Sequence, residues 1–174
     1  MKIAIIYKSK SGYTKNYATW LSEILGAEVY QGSKVKAENL KDYDTLIFGG
    51  GLYASGINGI KTIKKFISLY PDKNIVVFAT GASPGRNDEI DSVIKRNFTE
   101  QEQKAIRFFY LRGGFDYSKC TPIDKVMMRM LELILKHKSN PTPDERGMLN
   151  AYTTPMDFTK RENVKELVDY VQSF

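Results

Sequence analysis

Residues 9–14 read SKSGYT, where Ser9, Ser11 and Thr14 offer hydroxyls around Lys10, Gly12 and Tyr13. Before them lie the nearly continuous apolar residues Ile3, Ala4, Ile5, Ile6 and Tyr7; after them comes KNYATWLSEIL, with helical periodicity. A strand thus runs into a short turn that opens a helix, the place where backbone N–H groups converge on an anion. Such a nest suits a terminal phosphate held without a metal ion. A P-loop needs a different spacing, and a dinucleotide fingerprint needs three glycines where only Gly12 is present. The plainer alternative is a Ser/Thr N-cap beside a turn glycine.

Two further stretches have residue types that fit a ligand. GGGLYASGING contains Gly49, Gly50, Gly51 and Gly56, which remove side-chain bulk where a planar ring can approach backbone, while Leu52 and Tyr53, followed by Ala54, can cover its face. The same segment matches G-x-G-x-x-A with Asp72 about 20 residues on, as in an NAD site. That match follows the third strand rather than the first, and Asp72 precedes the fourth strand, so the NAD reading is weak. TGASPGRND supplies a small polar rim of Thr80, Gly81, Ala82 and Ser83, or merely a turn before a helix.

The elements that must position these stretches alternate strand and helix. Strands are predicted at KIAIIY, AEVYQ, TLIFGG, NIVVFATG and IRFFYL. A first helix over Tyr13–Leu25 shares Tyr13, Tyr17, Trp20, Leu21, Ile24 and Leu25 on one buried face, which makes Trp20 a core residue. NLKDYD is expected as a brief helical turn. IKTIKKFISLY and DEIDSVIKRNF are amphipathic helices, and capping boxes are expected at Thr99 with Glu102 and at Thr159 with Glu162. The last helix turns Val164, Leu167, Val168 and Val171 inward. This alternation predicts an α/β fold, a doubly wound parallel sheet of five strands in the order 2-1-3-4-5. Ligands of such sheets sit beyond the carboxyl ends of the strands at the switch point, which selects residues 8–14, 49–58 and 80–88.

The whole chain sets outer bounds. Its 174 residues fit one domain, residues 1–174, with 42% hydrophobic and 26% charged residues as in ordinary globular proteins. No apolar run reaches the roughly 20 residues that span a bilayer, and the N-terminal residues show no leader pattern, so an intracellular, cytoplasmic protein is expected. Cys120 is the sole cysteine and His137 the sole histidine. Neither has the company that metal or triad chemistry requires, so any chemistry falls to a cofactor. The net charge of +6 favours acidic partners. The cations are scattered among acids with no nucleic-acid motif, and no nucleic-acid partner is expected.

Taken together, the three stretches resemble the flavodoxin superfamily, and the likeness covers most of the chain. The resemblance implies a flavodoxin-like fold with FMN as cofactor. It implies that Ser9, Lys10, Ser11, Gly12, Tyr13 and Thr14 bind the phosphate, and that Gly50, Gly51, Leu52, Tyr53, Ala54, Thr80, Gly81, Ala82 and Ser83 contact the ring and ribityl chain. Electron-carrying flavodoxins are acidic and typically stack a Trp on the flavin; this chain is basic and its second loop lacks one.

Between the fifth strand and the last helix lies an insert, about residues 115–150, too long for an ordinary connection. It begins GGFDYSKCTP and continues IDKVMMRMLELILKHK. Ile123, Val126, Met127, Met130, Leu131 and Ile134 form one stripe, widened by Met128, Leu133 and Leu135, with cations at Lys125, Arg129, Lys136 and Lys138. So wide an apolar arc is either packed on its own domain, the simpler expectation, or pressed onto a lipid surface or partner. The basic charge, the GGFDY turn and the Asp-led, Met-rich helix of residues 124–136 narrow the likeness. The chain is similar to the flavodoxin-type protoporphyrinogen IX dehydrogenases, although Tyr53 and Ala54 stand where that family tends to place a basic residue and an aromatic. This implies an FMN-dependent oxidoreductase that passes electrons to a small-molecule or quinone acceptor, with peripheral contact at the inner face of the membrane through the insert. The alternative is a flavodoxin-like electron-carrier module for a protein partner.

Overall fold

The computed structural model describes residues 1–174, the side chain of Asp144 apart. In chain order the elements are β1 Ile3–Lys8, α1 Tyr13–Leu25, β2 Glu28–Gln31, β3 Thr45–Tyr53, β4 Gly56–Ile57, α2 Ile60–Leu69, β5 Asn74–Gly81, α3 Asn87–Asn97, α4 Glu100–Lys104 and β6 Arg107–Arg112. The remainder are β7 Gly114–Phe115, α5 Pro122–Lys136, α6 Pro143–Asn150, β8 Met156–Asp157 and α7 Lys165–Val171. The sheet runs β2-β1-β3-β5-β6, all parallel, with β4 folded antiparallel on the end of β3. This is the doubly wound order expected from the sequence.

Strict alternation along the buried strands explains why both faces are apolar. Ile3, Ile5, Ile47, Val76 and Phe78 point to one side, where Tyr17, Ala18 and Leu21 of α1 and Leu167, Val168 and Val171 of α7 cover them. Ala4, Ile6, Leu46, Phe48, Ile75, Val77 and Ala79 point to the other, under Ile63 and Phe66 of α2 and Val93 of α3. Strands buried on both faces read as continuous hydrophobic runs, which is how they stood out in the sequence.

Four local expectations need correction. The third strand does not end at Gly50 but continues through Gly51, Leu52 and Tyr53. The glycines are there for packing: a Cβ on Gly49 would lie 2.1 Å from the Phe78 ring, and one on Gly50 would lie 2.6 Å from Ile57 and 2.7 Å from the Asn58 carbonyl. Ile24 lies on the exposed side of α1. The short helical turn starts two residues before NLKDYD and ends at its second residue, over Ala37–Leu40. Thr159 forms no box with Glu162, because Asp157 Oδ1 accepts both its N–H at 2.8 Å and its hydroxyl at 2.7 Å, a local side-chain competitor for the helix start. The other box is formed: Thr99 Oγ1 accepts the Glu102 N–H at 3.3 Å, and Glu102 Oε2 accepts the Thr99 N–H at 2.8 Å.

The insert is clamped at its base. β7 pairs antiparallel with β8, and Gly113 accepts the Phe158 N–H at 2.8 Å. Inside it, Tyr152 packs against Phe115 and Tyr117 and donates to the Met128 carbonyl at 2.6 Å. Leu135 is buried on this inner side. Most of the predicted stripe, however, does not face the domain: Ile123, Val126, Met127, Met130 and Ile134, with the flanking Leu133, are 56–75% exposed, and of the stripe's six residues Leu131 alone is half-buried. The expectation of a helix packed through that stripe is therefore overturned.

Candidate functional site

The carboxyl ends of β1, β3 and β5 bring the three predicted stretches together. In the first, Gly12 takes φ +101°, a left-handed conformation that strains any side chain-bearing residue, and caps α1. Ser9 Oγ accepts the Gly12 N–H at 3.0 Å, which closes the turn. Intrahelical bonding begins with Asn16, whose N–H donates to the Gly12 carbonyl at 3.0 Å. The N–H groups of Tyr13, Thr14 and Lys15 therefore precede the first helical bond. No acidic residue lies in this first turn to compete for the positive end of the helix.

The side chains of this loop divide into distinct roles. Thr14 is buried and shares a 2.7 Å hydrogen bond with buried Thr80, tying the first stretch to the third. Tyr13 turns away from the loop: its ring packs under Gly114, and its hydroxyl donates to the Met156 carbonyl at 3.2 Å. Burial, then Asp157 and Asp116, push its phenol pKa up. Tyr13 thus offers the loop its backbone while its side chain anchors the insert. Lys10 Nζ is held by Asp124 at 2.8 Å and lies 4.2 Å from the Tyr53 ring centre. Its ammonium ties the loop to the start of α5.

The second stretch is a hairpin rather than an open loop. Leu52 pairs with Ile57 and Tyr53 with Gly56, so Ala54 and Ser55 turn the chain with φ of 47° and 64°. Asn97, which sequence reasoning missed, holds this hairpin from α3. Its Oδ1 accepts the Ile57 N–H at 2.9 Å, and its Nδ2 donates to the Ser55 carbonyl at 2.7 Å and the Val93 carbonyl at 2.8 Å. The available signal was a polar residue four positions after Val93 on the inward stripe of an amphipathic helix. Burial, with Asp124 adding, pushes the Tyr53 phenol pKa up to about 12, against the opposing influence of Ser11 and the Lys10 backbone. It is a neutral hydroxyl at the phosphate loop throughout the physiological range.

The third stretch is shaped by Tyr110. Its hydroxyl donates to the Ser83 carbonyl at 2.7 Å and lies 3.0 Å from Ser83 Oγ. A Cβ on Gly85, whose φ is +76°, would fall 2.2 Å from the Tyr110 ring. Gly81 accepts the Gly113 N–H at 2.7 Å, and a Cβ there would lie 2.8 Å from the Tyr110 hydroxyl and 3.3 Å from Leu52. Arg112, stacked 3.7 Å over Phe158, donates from Nε to the Ala82 carbonyl at 3.4 Å. Ala54 and Ser83 lie outermost, while Gly50 and Gly51 are buried. Asp72 lies in the turn before β5, at the opposite end of that strand from Gly81. The second half of an NAD fingerprint is therefore on the wrong edge of the sheet. Trp20 packs on the core beside Tyr17. Burial pushes the half-exposed Cys120 thiol up, away from its reactive form.

The comparisons with known proteins agree with this architecture. The chain matches the flavodoxin domain family over residues 4–142 and belongs to it. Among solved structures, rubredoxin oxygen:oxidoreductase from Desulfovibrio gigas is similar at TM-score 0.50 and 13% identity, over 99% of this chain and 36% of that one. A WrbA-like flavodoxin protein from Agrobacterium tumefaciens aligns at TM-score 0.44 and 20% identity, over 61% of this chain and 74% of the other. A flavoprotein in complex with FMN from Lactobacillus acidophilus aligns at 0.39 and 19%, over 64% and 91%. No curated protein matches.

Proposed function

We propose that the chain is an FMN-dependent oxidoreductase, of the kind that oxidises protoporphyrinogen IX and passes the electrons to a quinone. The observation that supports it most is the turn at Gly12, which opens a helix with no acidic residue in its first turn, at the switch point of a flavodoxin fold. The residues suit FMN. The loop ends in converging N–H groups, Ser9 and Ser11 are half-exposed at its mouth, and the Thr14–Thr80 bond fixes its distance from the third stretch. Backbone N–H groups of Tyr13, Thr14 and Lys15 would hold the phosphate, and the hairpin at Leu52 and Tyr53 with Gly81, Ala82 and Ser83 would border the ring. Bound FMN would supply the redox chemistry. The chain's own part is to bind, to orient and to keep Tyr53 protonated beside the phosphate loop.

The porphyrinogen substrate rests on the likeness of the insert and of the basic charge. Anaerobic incubation of the FMN-loaded protein with protoporphyrinogen IX and a quinone tests it. A rise in porphyrin fluorescence that requires both protein and quinone is expected. One observation favours the carrier reading: none of the side chains assigned to the cofactor is a carboxylate or an imidazole. If porphyrin does not form while the reduced protein transfers electrons to a redox protein, the carrier reading replaces the oxidoreductase.

A further inference from the structure

Helix α5 carries its apolar residues on the wrong side for a core. Ile123, Val126, Met127, Met130, Leu133 and Ile134 follow the three- and four-residue spacing of one face, and all six are exposed. The helix is secured from its other side instead, through Leu135, the Tyr152 bond to the Met128 carbonyl, and the Lys10–Asp124 ion pair. Its attachment therefore does not need the outward face. Six contiguous large apolar side chains presented to solvent mark a docking surface.

Charge selects what docks. Both carboxylates of the helix are turned inward: Asp124 is held by Lys10 and Thr121, and Glu132, 7% exposed, is held by Arg129 at 3.0 Å and Lys136 at 2.7 Å. The cations Lys125, Arg129 and Lys136 form a row along one edge of the apolar face, at the spacings four and seven that share a side of a helix. Arg129 and Lys136 keep 69% and 58% of their side chains exposed although paired. An apolar face edged by cations and without an exposed acid fits a lipid–water interface with anionic headgroups. A second copy fits less well, because an antiparallel pairing would set the cation row of one copy against that of the other. Spanning is excluded by length, since among the described residues no helix is long and apolar enough to cross a membrane.

We infer that α5 docks the protein on anionic membrane surfaces by its outward face, lying in the interface plane. The inference goes beyond the flavin reading and does not depend on it. Its consequence for the site is positional: Asp124, at the start of the docking helix, touches Lys10 of the phosphate loop, so docking would bring the rim to the lipid surface.

Co-sedimentation of the full chain with vesicles tests this. Binding is expected to vesicles of phosphatidylglycerol mixed with phosphatidylcholine, to weaken with salt, and to be far weaker to phosphatidylcholine alone. Met127→Gln and Met130→Gln keep the charge and lie on the exposed face. Each should lower the partition coefficient roughly tenfold while the melting temperature stays unchanged. Absence of vesicle binding overturns the proposal. So does a wild-type dimer that these substitutions dissociate without any lipid effect, since the face would then belong to a second copy. Equal binding to neutral and anionic vesicles overturns the role given to the cation row.

Discussion

The rim of the three stretches and the outward face of α5 obey opposite rules within one chain. At the rim, polar groups are turned in and satisfied: Thr14 meets Thr80, Asn97 meets the hairpin, and Tyr110 meets Ser83. Glycines there leave room for the rings of Phe78 and Tyr110. On α5 six large apolar side chains face solvent, and the carboxylates face the domain. A region that orders its polar atoms with no outside help is preorganised. A region that leaves apolar area exposed has its stabilising partner outside the molecule.

The largest expected effect strikes the rim's packing. Gly49→Ala sets a Cβ against the Phe78 ring in a strand with neighbours on both sides, and should destabilise by about 3 kcal/mol in a urea melt. A loss below about 0.5 kcal/mol would mean that the ring can move aside and that the glycines are there for a ligand after all.

Next comes the inside of α5 against its outside. Leu135→Ala removes a buried side chain and should lower stability by about 2 kcal/mol or more, whereas Met130→Ala should change it by no more than about 0.5 kcal/mol. Equal losses in thermal melts would erase the distinction between the two sides of the helix.

Asn97→Ala strands the Ile57 N–H and the Ser55 carbonyl, a cost of about 1–3 kcal/mol. Flavin affinity should fall as the hairpin loosens, a result that fluorescence titration reads separately from stability.

The smallest effect is on pH. The hydrogen bond from Lys10, then the one from Thr121, holds the Asp124 carboxyl below the usual carboxylate range. A folded-state pKa below the unfolded one adds stability that is present above the unfolded value, 3.8, and lost as the pH falls through the folded value. The tether should thus persist through neutral and mildly acid pH and open only below about pH 4. An NMR titration of the Asp124 carboxyl should find its midpoint below that of a free aspartate; a midpoint at or above it would contradict the pairing.

Much of this architecture is legible in the amino-acid sequence. The β1–turn–α1 unit, the parallel order and the Thr99 box follow from local patterns, because strand alternation and capping chemistry are short-range. What could not be read depends on distant partners. The run of β3 past Gly50 is not legible because glycine weakens strands, and the Phe78 ring that accounts for Gly49 comes from the neighbouring strand. Periodicity showed that α5 has an apolar face but gave no direction for it, since a stripe has the same spacing whether it meets a core or a membrane. Thr159 was misjudged because Asp157, two residues earlier, competes for the same groups.

The central claim, that residues 9–14 hold a terminal phosphate by their backbone, is tested most directly by titrating the apoprotein with FMN and with riboflavin. FMN should bind far more tightly. Gly12→Ala, which strains the φ +101° turn, should weaken FMN more than Lys10→Ala, whose ammonium belongs to Asp124. Equal affinities for FMN and riboflavin would contradict the account.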